Sequence, residues 1–364
     1  MAAMNPYWSA LARKLQPYVP GEQPKLPDLV KLNTNESPYG PSPRVLAAIR
    51  AAATDDLRLY PDPEAIKLRA TLAAYHGVGV ENIFVGNGSD EVLAHTFAAL
   101  LRHDRPLLYP DVTYSFYPVY AQLTGVTVET VALDAAMRVR IEDYRRPCGA
   151  VILANPNAPT GIALPLAQVT KLVEMHADKP VVIDEAYVDF GGETAIPLIA
   201  GHPNLLVIRT FSKSRALAGL RVGYALGDSG LIEALERVKD SFNSYPLDAP
   251  AQAGAVASVE DEAFFQARLS DVLAQRAATS EGLKKLGFEV LPSATNFVFA
   301  RRPGVAGAAL AQGLRERAVI VRHFNKPRTA DYLRITIGAP AQTERLLKAL
   351  GEIVNQPTDA LIQR

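Results

Sequence analysis

Cysteine is nearly absent from this chain: Cys148 stands alone among 364 residues. No intrachain disulfide can form and no multi-cysteine metal site can exist, so a reducing cytoplasm is the expected compartment, no metal is expected, and Cys148 reads as a small apolar filler. A charge surplus is absent too. Lys and Arg total 38, Asp and Glu total 38, and the net charge is zero. Nothing basic is left over to drive nucleic-acid binding, and no acidic tail is present. No apolar run is long enough to span a bilayer. The opening segment, MAAMNPYWSALARKL, lacks the apolar core of a signal peptide. What remains is ordinary globular composition, 48% hydrophobic and 21% charged, at a length that suits two domains or one large α/β domain.

The stretch Arg209 to Tyr224, RTFSKSRALAGLRVGY, organises the rest. It reads as the end of a buried strand, a polar turn, a short apolar helix and a new strand. Lys213 sits in the turn between Ser212 and Ser214, and Arg221 follows eight residues on. A lysine held at a fixed point beside cationic and desolvating neighbours loses its proton readily and can form an imine. A serine and an arginine at this spacing can hold a phosphate in the same pocket. Taken alone, Lys213 reads equally as an exposed loop lysine.

Upstream, residues 1–50 are punctuated by Pro17, Pro20, Pro24, Pro27, Pro38, Pro41 and Pro43, which deny them a long helix. They read as an arm lying over another part of the molecule, with Asn33, Asn35 and Glu36 in KLNTNESPYG. Helices are expected over 43–53 and 64–75, and Tyr60 stands at the start of a proline turn between them. ENIFVGNGSDEVLAHTFAALL then combines a strand, a glycine turn and a helix with Ser89 as the expected N-cap. Free N–H groups at such a helix start attract anions. A helix containing three tyrosines is expected over 114–123.

Beyond it, apolar strands alternate with helices: RPLLYP, VTVETV, GAVILANP, KPVVIDEAY, LLVIRTF and VGYALG. This rhythm predicts a mostly parallel sheet with helices on both faces. Ligands of such sheets bind beyond the carboxyl ends of the strands. The polar clusters GNGSDE, NPNAPTG, DEAY and TFSK fall at those ends. From Leu231 the pattern turns helical, with a long helix over 262–286, and a smaller α+β unit follows.

Asp184 and Asn155 each end an apolar strand. A carboxylate there is costly unless paired, although a helix cap or a structural ion pair also accounts for Asp184. An aldehyde cofactor with a pyridinium ring and a phosphate requires a lysine, a carboxylate at the ring nitrogen, a donor to the phenolic oxygen, an aromatic face and an anion site. The chain supplies a candidate for each.

NPNAPTG, DEAYVDF and SKSRALAGLRVGY, in this order, resemble fold-type I pyridoxal-phosphate aminotransferases. With KLNTNESPYG, YPDP, GNGSDE and YLRITIG, the chain resembles the histidinol-phosphate aminotransferases from about Pro17 to the last helix. The resemblance implies an α/β fold: a large domain with a mostly parallel seven-stranded sheet between helices, and a smaller α+β domain. Residues 1–44 would form the arm and part of the small domain, 45–255 the large domain and 256–364 the small one. It implies pyridoxal 5'-phosphate as cofactor and amino transfer between L-histidinol phosphate and 2-oxoglutarate.

By the same resemblance, Lys213 joins the cofactor and moves the substrate proton, and Asp184 pairs with the ring nitrogen. Asn155 and Tyr187 donate to the phenolic oxygen, and Tyr114 stacks on the ring. Ser89, Asp90, Ser212, Arg221 and Thr210 hold the phosphate. Tyr60 reaches the neighbouring subunit's cofactor, which implies a homodimer. Arg334 clamps the substrate anion, Arg322 and Tyr18 stand near the substrate phosphate, and Asn35 and Glu36 belong to the covering arm. Arg322 also reads as a surface charge among Arg301, Arg302 and Arg328.

The chain departs from the common pattern at three places. Ala158 replaces the second asparagine of NPNNPTG, Ser89 replaces a small apolar residue, and Arg215 follows the lysine turn. The scaffold also serves aromatic amino-acid aminotransferases and threonine-phosphate decarboxylases. A ligand-sensing protein built on it would carry a DNA-binding module in front, and none is seen in this sequence.

Overall fold

The computed structural model describes residues 5–25 and 27–355. The outermost parts of the expected arm and small domain, 1–4 and 356–364, lie outside the described residues, as does Leu26.

The arm carries α1 (Ala10–Lys14) and β1 (Val30–Leu32), followed by α2 (Pro43–Ala52) and α3 (Ile66–His76). Ser42 caps α2 by accepting from Val45 N, and Pro43 sits at the first helical position, where its missing N–H costs nothing. Then come β2 (Ile83–Asn87), α4 (Gly88–Ala99), β3 (Leu107–Pro110), α5 (Tyr117–Thr124), β4 (Val128–Val131) and β5 (Ala150–Ala154). α6 (Leu166–Met175), β6 (Val181–Asp184), β7 (Leu205–Thr210) and β8 (Val222–Gly227) complete this unit's strands. Next are α7 (Ser229–Asp240), α8 (Ala249–Glu260), α9 (Glu262–Lys285), β9 (Glu289–Val290) and β10 (Phe297–Arg301). The described chain closes with α10 (Gly307–Glu316), β11 (Val319–His323), β12 (Tyr332–Thr336) and α11 (Pro340–Val354).

The large sheet has seven strands in the order β2-β8-β7-β6-β5-β3-β4. The contacts from β4 through β7 are parallel, and β8 runs antiparallel to both its neighbours. Its central strands are buried along their whole length, as helices on both faces require. Alternate residues serve opposite faces. Val151, Leu153, Val181, Ile183, Leu205 and Val207 pack against Leu68 and Leu72 of α3, Val169 and Leu172 of α6, and Ala251 and Ala255 of α8. Ala150, Ile152, Val182, Leu206 and Ile208 pack against Val92, Leu93 and Phe97 of α4, Tyr117 and Tyr120 of α5, and Leu235 of α7.

A second sheet of five strands runs β1-β11-β12-β10-β9, so the arm contributes an edge strand to it through parallel pairing of Val30 with Val319. The division expected between 255 and 256 falls inside α8, whose Val256 and Val259 still belong to the large sheet's core.

Candidate active site

The parallel strands β5, β6 and β7 end on one edge of the large sheet. Because β8 is reversed, it begins at that same edge, and β2 ends there opposite it, with Asn87 paired to Val222. The segments leaving these strands enclose a cavity of about 220 Å³. It is lined by Tyr18, Asn35, Glu36, Ser89, Asp90, Tyr114, Asp184, Tyr187, Thr210, Ser212, Lys213, Arg221, Arg322 and Arg334. Residues expected from segments 300 positions apart therefore meet at one place.

Lys213 Nζ donates to the carbonyl of Thr34 at 3.2 Å and stands 5.8 Å from the Tyr187 ring centre. The turn bearing it is tied from behind. Ser214 donates to Asp189, which also pairs with the buried guanidinium of Arg209.

Asp184 is buried. Tyr117 donates to its Oδ2 at 2.9 Å and Ala186 N to its Oδ1 at 3.2 Å. Among the described residues it has no cationic partner. Burial therefore pushes its pKa up to about 6, against the two hydrogen bonds that hold it down. A buried carboxylate left in this state is a receptor for a cation or a protonated donor.

The anion side is built from two close approaches. Gly88, at φ 79°, has no Cβ to collide with the Arg221 guanidinium, and Gly223 leaves room for the backbone of Gly88 and Ser89. A Cβ at either position would drive the start of α4 away from Arg221. Arg221 itself is held by Asp90 Oδ2 at 3.0 Å and donates to Ala218 O at 3.3 Å. Tyr114 donates to Asp90 Oδ1 at 3.0 Å, which fixes its ring on the cavity wall. The free N–H groups of the first turn of α4, the guanidinium and Ser212 converge there, a favourable setting for a phosphate. Ser89 is not the cap that its position after the glycine turn suggested. The helix starts at Gly88, and Glu91 folds back to accept from Asn87 N at 2.5 Å. Likewise α5 starts at Tyr117, so Tyr114 lies in the preceding turn.

Two arginines, Arg322 and Arg334, also line the cavity. Arg334 Nη2 donates to the Asn33 carbonyl at 2.9 Å, its Nε has no hydrogen-bond partner among the described residues, and its guanidinium lies 5.4 Å from the Phe297 ring centre. Arg322 donates to the carbonyls of Val19 and Pro20, at 3.3 and 3.5 Å, and its guanidinium lies 5.7 Å from the Phe324 ring centre. Among the described residues neither pairs with a carboxylate. Burial lowers the pKa of Arg334. Two guanidinium groups without acidic partners form a site for a dianion or a carboxylate. The arm closes this side: Gln16 N donates to Gln122 Oε1 at 2.8 Å, and the Tyr18 ring rests 4.6 Å from Phe116.

Two expected residues are not in the cavity wall. Asn155 is buried, and its amide is occupied twice by Leu164: Nδ2 donates to the carbonyl at 3.0 Å, and Oδ1 accepts from the N–H at 2.8 Å. The wall there is formed by Ala154 and Ala158. These bonds use the Asn155 amide oxygen and one of its two N–H groups, and leave the second N–H as a donor. Tyr60 is 81% exposed and stacks on Tyr245 with centroids 4.5 Å apart, away from this cavity. Conversely, Tyr117, Thr34 and Ala186 serve the site without having been singled out. Tyr117 was visible only as one tyrosine of a helix.

The family model for aminotransferase class I and II matches residues 27–350. The chain belongs to this family. It is 66% identical over 351 residues to histidinol-phosphate aminotransferase 2 of Rhizobium meliloti (strain 1021), covering 96% of this chain and all of that one. It is 64% identical over 351 residues to histidinol-phosphate aminotransferase 1 of Bradyrhizobium diazoefficiens, with 96% and 100% covered. Among solved structures, the histidinol-phosphate aminotransferase of Sinorhizobium meliloti, in complex with pyridoxal-5'-phosphate, superposes with a TM-score of 0.86. It shares 27% identity, with 96% of this chain and 98% of that chain covered. The fold is thus that of fold-type I aminotransferases, with the mostly parallel seven-stranded sheet expected from the strand rhythm.

Proposed function

We propose that this chain is a pyridoxal-phosphate-dependent histidinol-phosphate aminotransferase that exchanges an amino group between L-histidinol phosphate and 2-oxoglutarate, giving imidazole acetol phosphate and L-glutamate. The observation that carries this reading is the charge arrangement of one cavity. A lysine amine, a buried carboxylate without a cation and two guanidinium groups without carboxylates, among the described residues, line the same space. The names of the relatives above support the same substrate.

The residues fit the cofactor. Asp184, raised in pKa by burial, would take the ring nitrogen. Arg221, Ser212, Thr210 and the first turn of α4 at Ser89 and Asp90 would take the phosphate, Tyr114 one face of the ring and Tyr187 the phenolic oxygen. When bound, pyridoxal phosphate supplies an aldehyde for imine exchange and a ring that accepts the electron pair released at the substrate α-carbon. Lys213 is the group that can take and return a proton at that carbon. Tyr117 and Ala186 keep Asp184 an acceptor. Arg334 and Arg322 orient the substrate, and a planar guanidinium suits both the phosphate of one substrate and the carboxylate of the other. Tyr18, Asn35 and Glu36 shut the cavity from the arm side.

The homodimer, with Tyr60 serving the partner's site, is part of this proposal. It is supported by an exposed apolar surface that includes Leu59, Tyr60, Phe242 and Tyr245. Among the described residues no helix is long and apolar enough to cross a membrane. A cytoplasmic location is proposed from the single, buried cysteine.

The test is a half-reaction without acceptor. Protein loaded with cofactor is mixed with L-histidinol phosphate, L-phenylalanine or O-phospho-L-threonine, and the cofactor absorption is followed. Rapid conversion to the pyridoxamine form with histidinol phosphate is expected. Conversion mainly with phenylalanine, or carbon dioxide release from phosphothreonine, would reassign the substrate.

Arg334→Ala is expected to raise KM for both histidinol phosphate and 2-oxoglutarate by about 10- to 100-fold, the range for losing a charge-assisted hydrogen bond. Unchanged KM values for both would remove Arg334 from the site.

A further inference from the structure

Asn35 lies between β1 and α2 at φ 57°, in the left-handed region, and is almost fully buried. Its bonds reach distant parts of the chain. Its N–H donates to Thr336 Oγ1 at 3.0 Å, and Thr336 Oγ1 donates to its Oδ1 at 3.1 Å. Asn296 Nδ2 donates to its carbonyl at 2.9 Å. Asn35 Nδ2 donates to the Tyr187 hydroxyl at 2.8 Å.

This pattern fixes which end of the amide faces Tyr187. Thr336 Oγ1 already accepts one N–H, and its own hydrogen finds its acceptor in Asn35 Oδ1. Turning the amide over would aim a second N–H at Thr336 and leave a buried hydroxyl hydrogen unpaired, at a cost of order 1–3 kcal/mol. With nitrogen toward Tyr187, the Tyr187 oxygen is the acceptor. Its own hydrogen must then point elsewhere, and the cavity that Tyr187 lines is the open direction.

We propose that Asn35 is a positioning residue: it turns the Tyr187 hydroxyl hydrogen into the cavity and makes Tyr187 the donor to the cofactor's ring oxygen. This rests on the pyridoxal-phosphate reading above. Asn155, expected to share the task, gives Oδ1 and one N–H to Leu164 and keeps its second N–H. The direction of the Tyr187 donor is set from the end of β12. Donors arranged in series polarise one another, so the arrangement strengthens the last bond.

The test compares pyridoxamine phosphate with its analogue lacking the ring hydroxyl, each titrated calorimetrically into cofactor-free, full-length protein. Neither forms an imine with Lys213. Wild-type protein is expected to prefer pyridoxamine phosphate by about tenfold or more, the range for a hydrogen bond involving a charged group. Asn35→Asp keeps the shape and tolerates the left-handed backbone, but it replaces the donor with an acceptor, to which Tyr187 donates instead. The preference is expected to fall by about fivefold or more on this argument, as it does in Tyr187→Phe, with no further fall in the double variant. A loosened arm would weaken both ligands alike and leave their ratio unchanged, whereas direct repulsion of the ring oxygen by the added charge would appear as a further fall in the double variant. Should Asn35→Asp not fold, Thr336→Val, which removes the hydroxyl that orients the amide, must lower the same ratio. An unchanged ratio in Asn35→Asp beside a collapsed ratio in Tyr187→Phe overturns the role of Asn35 and leaves the cofactor reading standing. A wild-type ratio near one overturns the Tyr187 contact as well. Wild-type protein that binds neither ligand overturns the cofactor reading itself.

Discussion

Lys213→Ala is expected to reduce amino transfer by at least about a thousandfold while the protein stays folded. Two functions vanish together, the amine that exchanges with the substrate's and the base at the α-carbon, and a positioned base alone is worth about 10²- to 10⁴-fold. The structural loss is small. Among the described residues Lys213 Nζ makes one hydrogen bond, to the Thr34 carbonyl, and no ion pair. The turn is secured by its neighbours instead, through Ser214, Asp189 and Arg209. Unfolding free energy should therefore change by no more than about 1 kcal/mol. The half-reaction rate with L-histidinol phosphate and a denaturation curve measure the two effects separately. Wild-type turnover in this variant would remove the lysine from the chemistry and the proposed reaction with it.

Asp184→Asn should act in opposite directions on rate and on stability. In the cofactor-free protein the Asp184 carboxyl titrates near 6 instead of 3.8, because burial penalises its charge. The folded state thus holds this proton more tightly than the unfolded state. Its contribution is favourable at low pH and is lost as pH rises from about 4 to about 6, a difference of about 3 kcal/mol once complete. Asparagine has no such titration. Cofactor-free Asp184→Asn protein should therefore be more stable than wild type at pH 8 and lose that advantage near pH 4. The loaded enzyme should behave differently, because a protonated ring nitrogen gives the carboxylate the partner it lacks. Amino transfer should then fall by about 10²-fold or more, the scale of losing one preorganised electrostatic partner. Urea denaturation at several pH values, with and without cofactor, tests the first half. Parallel pH profiles for wild type and variant between pH 4 and 7 would show that Asp184 carries no such penalty.

Much of this was legible in the sequence because the relevant signals are local. Apolar runs such as VVID and LLVIR declare buried strands, and the polar residues at their ends, Asp184 and Thr210 through Lys213, mark the edge where the cavity opens. What escaped was side-chain direction. Asn155 sits at a strand end like Asp184, but its amide turns to Leu164, nine residues on, and nothing in residue type or spacing announces this. Tyr117 could be placed on a helix, but its bond to Asp184 crosses 67 positions. Arg322 could not be told from a surface charge until β11 lay beside β12, where Arg322 and Arg334 are paired in register. Ser89 missed the cap because Glu91 reaches back to Asn87 and starts the helix earlier.

The reversal of β8 has a consequence for how the site assembles. Because β8 returns along β7, the chain turns once at the sheet edge, and both Lys213 and Arg221 lie in that single turn. Closing so short a loop costs little chain entropy, so the covalent anchor and the phosphate anchor can form in one local folding event. The guanidinium pair is set by a second short connection, β11 beside β12. What joins the two is the segment after β1: Arg334 donates to the Asn33 carbonyl and Lys213 to that of Thr34, and β1 is seated by a pairing that brings Val30 to Val319 across most of the chain. Conditions that loosen this distant pairing first will uncouple the substrate anchors from the lysine turn while each local pair stays formed.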